Sequence, residues 1–187
     1  MNKETETKTS NHLSLVEVLR TIAVSFIIYY IVFNFLLVNA VIPSGSMENT
    51  INIGDRVLAE RVVFKINGIE RGDIVIFHPT SGVKDKYLIK RVMGLPGETI
   101  EGIDGYVYIN GKKLNETYVK DLLDEDFGPY TIPENHYFMM GDNRTNSYDS
   151  RLWDIKFVSI DKIIGKAILK YVGGFEIFTT PEYNIQE

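Results

Sequence analysis

At 187 residues the chain has room for one domain with at most a small excursion. It contains no cysteine, which excludes disulfides, thiol catalysis and thiolate metal sites together. A net charge of −5, with lysines and acids interspersed, argues against the broad basic face that nucleic-acid binding needs.

Residues 1–15 are polar and read as a tail. Ser14, with Glu17 three residues on, has the pattern of a helix cap. The helix then enters "TIAVSFIIYYIVFNFLLVNAVI", Thr21 to Ile42, roughly twenty residues without a charge and long enough to span a bilayer. The run is apolar on all faces, unlike the half-polar helix of a soluble core. Arg20 borders it, with Lys3 and Lys8 behind, and the first basic residue beyond it is Arg56. The expectation is a transmembrane helix over 16–42, a cytoplasmic tail over 1–15, and an extracytoplasmic domain over 43–187. Val38-Asn39-Ala40 has the small-residue spacing of a signal-peptide cleavage site. The long apolar run and the long tail before it favour a retained anchor over a cleaved signal.

From Pro43 onward the pattern turns to β. Short runs rich in Val, Ile, Tyr and Phe recur between Gly, Pro, Asn and Asp clusters. Strands are expected from Arg56 towards Ile66, and at Asp73–Phe77, Tyr87–Met93, Tyr106–Ile109, Lys113–Val119, Tyr137–Met140 and Ile163–Tyr171. Asn110-Gly111 in "YVYINGKKL" marks a hairpin, and "GLPGE" at Gly94–Glu98 a tight turn. Residues 121–134 read as a loop, and about 102–134 as a hairpin excursion. The fold class is mainly antiparallel β behind one membrane helix.

"AVIPSGSMENT", Ala40 to Thr50, follows the apolar run and offers serines as nucleophiles. A serine needs a base within reach and donors for the oxyanion. His78 and His136 could serve in principle, although both sit naturally at strand ends; His12 lies in the tail. A lysine is the other option. In "KYLIKRVMGLPGE", strand alternation puts Leu88, Lys90 and Val92 on one face. If that face is the core side, the Lys90 ammonium is desolvated and its pKa falls, so that a neutral amine can take the serine proton. A solvent-facing edge lysine is the plainer alternative. "MMGDNRTNSYDSR", Met139 to Arg151, adds a loop dense in polar groups, in which a hydroxyl could orient the amine and an Asp–Arg pair could fix the loop.

These blocks, in this order behind a membrane helix, resemble type I signal peptidases, and the short stretch between the last two resembles the Gram-positive members. The matching stretches are "PSGSM" at Pro43–Met47, "GDRVL" at Gly54–Leu58, "RGDIVIF" at Arg71–Phe77, "KRVMGLPGE" at Lys90–Glu98 and "GDNRTNSYDSR" at Gly141–Arg151. The resemblance implies an antiparallel sheet or partly open barrel. It implies Ser46 as nucleophile and Lys90 as general base, with Ser44 and the Ser46 N–H as the oxyanion hole. Ser147 would hold the lysine, and Asp149 with Arg151 would form the pair beneath it. Ile42, Met47, Leu88 and Ile89 would wall the substrate pockets. The implied activity is removal of signal peptides after small residues of the A-x-A pattern. The implied partners are exported precursors, the lipid bilayer and nearby secretion machinery, at the cell membrane. No metal or other cofactor is expected. Three stretches depart from the family pattern: Asn49 stands where a proline is usual, Gly102 where a larger apolar residue is usual, and "RLWDIKFVSI" after Arg151 is atypical. A self-cleaving Ser–Lys repressor would need a DNA-binding domain in place of the apolar helix, and a non-enzymatic membrane-anchored assembly factor would be free to lose Ser46 or Lys90.

Overall fold

The computed structural model describes residues 14–79, 87–119, 121–181 and 183, which divide into two units at Phe35/Leu36. The first unit is a helix, α1, over Leu15–Ile31. Ser14 caps it as the sequence suggests: Glu17 N–H donates to Ser14 Oγ at 3.2 Å, and Ser14 N–H donates to the Glu17 carboxylate at 2.9 Å. One π-helical turn, Val32–Leu36, ends it, where Asn34 Nδ2 donates back to Tyr30 O. Leu15–Leu36 is long and apolar enough to cross a membrane, and none of its residues is buried within the protein.

The helix is shorter than the expected 16–42. Residues Leu37–Val41 form a strand, β1, antiparallel to β2 at Arg56–Glu60, with Val38 opposite Ala59 and Ala40 opposite Val57. An unbroken apolar run does not distinguish a helix from a buried strand. Here a ladder partner claims its last residues, and Val38 and Ala40 alternate onto the core.

The larger sheet is antiparallel, with β3 at Ile74–Phe77, β4 at Leu88–Gly94, β9 at His136–Met140, β10 at Phe157–Ser159 and β11 at Ile163–Val172. Its order is β1-β2-β11-β3-β4-β9-β10, with β12 at Glu176–Ile177 paired to β11. A smaller sheet runs β7-β6-β5-β8, from β5 at Thr99–Ile103, β6 at Tyr106–Ile109, β7 at Lys112–Lys113 and β8 at Phe127–Thr131. Asn110 and Gly111 both take positive φ in the β6–β7 hairpin, as a two-residue hairpin turn requires.

Three expected spans differ. The strand from Arg56 stops at Glu60, and a short helix, α2, follows at Val63–Asn67. The Glu60 carboxylate accepts the N–H groups of Val62, Val63 and Phe64, which satisfies the helix start and ends the ladder. The expected strand Lys113–Val119 survives only as Lys112–Lys113, because Tyr118 leaves the sheet to pack over Arg91. Part of the expected loop 121–134 is strand β8, whose Phe127 and Tyr130 stack with Phe138 of β9 at 5.6 and 6.2 Å. A Cβ at Gly102 would lie 2.5 Å from the Phe127 ring, which accounts for glycine at that atypical position.

The core has three clusters, and β4 contributes to each: Val92 to one around Phe77 and Trp153, Ile89 to one around Met47 and Ile76, Met93 to one around Ile100 and Phe138. Full burial of such side chains contributes about 1.5–3 kcal/mol apiece. Strand β4 is thus held rigidly from several sides, and it carries Lys90.

Candidate active site

Ser46 lies in a single 3-10 turn, Gly45–Met47, entered from an extended Ser44. Met47, fully buried, anchors the turn in the core. Lys90 lies in the middle of β4. Forty-four residues separate the two in sequence, yet Lys90 Nζ donates to Ser46 Oγ at 2.5 Å. Ser46 is 6% exposed and Lys90 3%. The plainer alternative, an edge lysine pointing to solvent, is therefore wrong.

The loop Gly141–Arg151 closes over the turn. Asn143 N–H donates to Ser46 O at 3.1 Å, and Asn143 Nδ2 donates to Gly45 O and the Glu48 carboxylate, both at 3.1 Å. At Gly141 the approach is so close that an added Cβ would lie 2.3 Å from both Ser46 O and Ser147 Oγ. Asp149, fully buried, takes the Arg151 guanidinium in a two-pronged pair at 2.8 and 2.9 Å and accepts Gly141 N–H at 3.0 Å. Arg151 also donates to Arg144 O at 2.8 Å. This is the Asp–Arg clasp expected from the sequence.

A cleft of about 410 Å³ opens over the pair, lined by Ser44, Ser46, Leu88, Lys90, Thr145, Asn146, Ser147, Tyr148 and Leu152. Ser147 Oγ is buried there and makes no hydrogen bond, so the implied bond to Lys90 is not formed. Of the four residues expected to wall substrate pockets, Leu88 lines the cleft. Ile42, Met47 and Ile89 pack against one another in the core behind it. Neither His78, whose ring is tilted against Tyr87, nor His136, bonded to Glu134 O, lines the cleft.

The ladder of β4 is asymmetric around Lys90. On one side Leu88–Arg91 pair with β3. On the other side β9 pairs only with Arg91, Val92 and Gly94. Among the described residues, Leu88–Lys90 thus present one open strand edge beside the cleft.

Sequence reasoning missed the buried polar frame behind the site. Arg91 binds Asp142 through Nε at 2.8 Å and Nη2 at 2.6 Å, and Thr50 Oγ1 donates to the same carboxylate at 2.5 Å. Burial works against the Arg91 charge, but the bonds and charge of Asp142 outweigh it and raise the Arg91 pKa. The Arg91 guanidinium lies 3.9 Å from the Tyr118 ring centre. The Tyr118 hydroxyl meets that of Tyr183 at 3.0 Å. Burial raises the pKa of both phenols, Tyr183 to about 12. Lys170, also buried, donates to Thr50 O at 3.0 Å and pairs with Glu176 at 2.9 Å. The only sequence signal for this frame was alternation, which puts Arg91 on the face opposite Lys90; its partners lie too far along the chain to be inferred.

The family described as "Signal peptidase, peptidase S26" matches residues 15–172. A signal peptidase I of Leptolyngbya laminosa is 38% identical over 163 residues, 84% of this chain and 79% of that protein. Signal peptidase I S of Bacillus subtilis is 37% identical over 76% of this chain and 81% of its own length. Signal peptidase IB of Staphylococcus aureus is 34% identical over 84% and 89%. A crystal structure of a signal peptidase I from Enterococcus faecalis is 34% identical, covers 52% of this chain and 95% of that one, and has a TM-score of 0.42. The family match includes the apolar helix, the serine turn, the lysine strand and the closing loop, and the chain belongs to the signal peptidase family, peptidase S26.

Proposed function

We propose that this protein is a membrane-anchored serine endopeptidase that removes signal peptides from exported precursors, with Ser46 as nucleophile and Lys90 as general base. The observation that carries the assignment is the 2.5 Å contact between Lys90 Nζ and Ser46 Oγ at a buried, pre-formed site. A lysine acts as base only as the neutral amine, and removal from water favours that form. Lys90 takes the Ser46 proton as Oγ attacks the scissile carbonyl. The Ser44 hydroxyl and the Ser46 N–H stabilise the oxyanion. Lys90 then passes the proton to the leaving amine, and water, activated by the same amine, hydrolyses the acyl-enzyme. We assign Ser147, whose buried hydroxyl lines the same cleft as Lys90, the role of holding the lysine once Ser46 is acylated. The open edge at Leu88–Lys90 suits an extended peptide added as a strand. Alternate side chains then point inward, which suits small residues at the first and third positions before the cut. The apolar helix Leu15–Leu36 supplies the anchor, with the N-terminus inside and the β domain outside.

The test is cleavage of a precursor ending its signal in Ala-x-Ala by the purified full chain. Ser46→Ala and Lys90→Ala each abolish cleavage, and the double variant is no worse, because the pair acts as one unit. Lys90→Arg is also inactive, since a guanidinium does not deprotonate. Ser44→Ala slows turnover on the order of a hundredfold. His78→Ala and His136→Ala retain activity. Substantial turnover in Lys90→Arg would refute the mechanism.

A further inference from the structure

Glu116 is a buried carboxylate that the mechanism does not use. It follows β7, outside the loop that closes over the serine turn, and its side chain is 9% exposed. It accepts Nη2 of Arg144, Nη1 of Arg144 at 2.9 Å and the Tyr118 hydroxyl at 2.7 Å. The segment that carries it is fixed at both ends. Leu114 is buried in the core of the small sheet, and its N–H donates to Val107 O of β6 at 2.8 Å. Tyr118 packs over Arg91 of β4. The small sheet thus presents a carboxylate at a fixed place.

Arg144, 3% exposed, opens the 3-10 turn Arg144–Asn146 in the closing loop. With both terminal nitrogens on Glu116, its Nε donates to Gly141 O at 3.1 Å. Asp149 holds the N–H of the same glycine. Gly141 is where the loop passes so near Ser46 O and Ser147 Oγ that no β-carbon fits. Burial works against the Arg144 charge, but the bonds and charge of Glu116 outweigh it and raise the Arg144 pKa. A guanidinium that stays charged needs a carboxylate, and others are at hand. Asp124, Glu125 and Asp126 line a hollow of about 210 Å³ together with Arg144. Of these four acids, Glu116 is the one bonded to the guanidinium, so it decides where Nε points.

We infer that Glu116 is a positioning residue for the nucleophile: it aims Arg144 Nε at the Gly141 carbonyl and so sets the loop against which the Ser46 turn is seated. The inference rests on the assignment of Ser46 as nucleophile. Glu116 does not line the cleft and acts through Arg144. Without its carboxylate the guanidinium does not stay buried and unpaired. It turns towards the acidic hollow, Nε leaves Gly141 O, and residues 141–143 loosen over the serine. A misplacement of about 1 Å at the reacting atoms costs up to about a hundredfold in rate, while the cleft that takes the peptide stays in place.

The test uses the detergent-solubilised full chain, well below its unfolding temperature, on a precursor ending its signal in Ala-x-Ala. Glu116→Gln keeps the size of the side chain and removes its charge. The expected result is a fall in kcat on the order of tenfold to a hundredfold, with KM within about twofold of the parent. Parental kcat overturns the inference. A companion variant, Glu116→Leu/Arg144→Met, replaces the buried pair with apolar groups of similar size, which restores stability. Its expected Tm is near that of the parent and its kcat is as low as that of Glu116→Gln, because Gly141 O still lacks a donor. Recovery of kcat together with Tm overturns the inference, since the pair then matters for stability alone. A third readout does not depend on turnover. In Glu116→Gln, hydrogen exchange at the Asn143 amide, which donates to Ser46 O, speeds up several-fold. The Val92 amide of β4, bonded to Asp73 O at 2.9 Å, stays as protected as in the parent. Equal exchange at Asn143 in parent and variant overturns the inference. A parent chain that cuts no precursor refutes the assigned chemistry instead, and the exchange result then decides whether Glu116 seats the serine turn.

Discussion

Asn49 stands where the resemblance to signal peptidases implies a proline, and replacing it with proline would ordinarily be read as a safe change towards the family pattern. The backbone here says otherwise. Asn49 has φ of +85°, whereas proline is locked near −65°, about 150° away. The preceding Glu48, at φ −54° and ψ 147°, would accept a following proline, so the conflict lies at position 49 alone. Turning that dihedral breaks the bonds that Thr50 N–H and Ile51 N–H make to Met47 O, at 3.1 and 2.8 Å, and lifts Ile51 from a fully buried site. Two such bonds are worth about 1 kcal/mol each, and displacement of the isoleucine about 2–5 kcal/mol, so Asn49→Pro costs roughly 4–7 kcal/mol. At ~2–4 °C per kcal/mol for a domain of this size, Tm falls by upwards of about 8 °C. Activity falls with it, because Glu48 holds Asn143, which donates to Gly45 O and Ser46 O, and Thr50 holds Asp142 next to it in the same loop. Asn49→Ala, which must hold the left-handed conformation without a helpful side chain, costs about 1–2 kcal/mol. Asn49→Gly stays within about 0.5 kcal/mol of the parent, since relief of strain and loss of chain entropy oppose each other. Thermal unfolding of the detergent-solubilised full chain, paired with precursor cleavage, makes the comparison. A proline variant as stable and active as the parent would show that the 48–50 backbone follows another course.

Gly141→Ala drives a methyl group against Ser46 O and Ser147, so cleavage drops far more than stability does; parental kcat in this variant would disprove the close approach. Asp142→Asn leaves the buried Arg91 guanidinium without its counter-charge and lowers stability by about 3–5 kcal/mol, read by thermal unfolding. A loss under about 1 kcal/mol would mean the pair is solvated. The raised phenol pKa values of Tyr118 and Tyr183 carry a sign for alkaline stability. Below pH 10 the phenols are neutral in both folded and unfolded chains, and their contribution is fully present. As pH rises towards about 12, only the unfolded chain ionises freely, and stability is lost. Tyr118→Phe/Tyr183→Phe flattens that part of the stability–pH curve and removes the latest-titrating phenolate absorbance; an unchanged curve counts against the buried hydroxyl pair.

Local signals carried much of this molecule. The Ser14–Glu17 cap, the Asn110-Gly111 hairpin and the side-chain alternation of β4, with Leu88 and Val92 in one core cluster and Ile89 in another, each depend on neighbours in sequence, and each is present as expected. The Ser46–Lys90 contact was legible only through the order of several motifs, since no local rule joins residues forty-four apart. Where the reading went astray, tertiary partners decided. Leu37–Val41 is strand because β2 is available to pair with it. Residues 63–67 coil because Glu60 caps them. Phe127–Thr131 joins a sheet because three aromatic rings stack across it. The Arg91–Asp142 and Arg144–Glu116 pairs, fifty-one and twenty-eight residues apart, left no trace that sequence alone could separate from ordinary surface charge.

The bracing of the nucleophile turn by residues 141–143 has a consequence in time. A ribosome delivers Ser46 and Lys90 early, but Asn143, whose N–H holds Ser46 O, comes last of the three. The turn can be seated only when three-quarters of the polypeptide has been made and β9 has joined β4. On the proposed mechanism, a nascent chain that ends before Asn143 carries Ser46 and Lys90 without the bond that seats the Ser46 turn. Chains ending at residue 140 should be inert even with Ser46 and Lys90 intact, and a measurable turnover from such a fragment would show that the dyad assembles unaided.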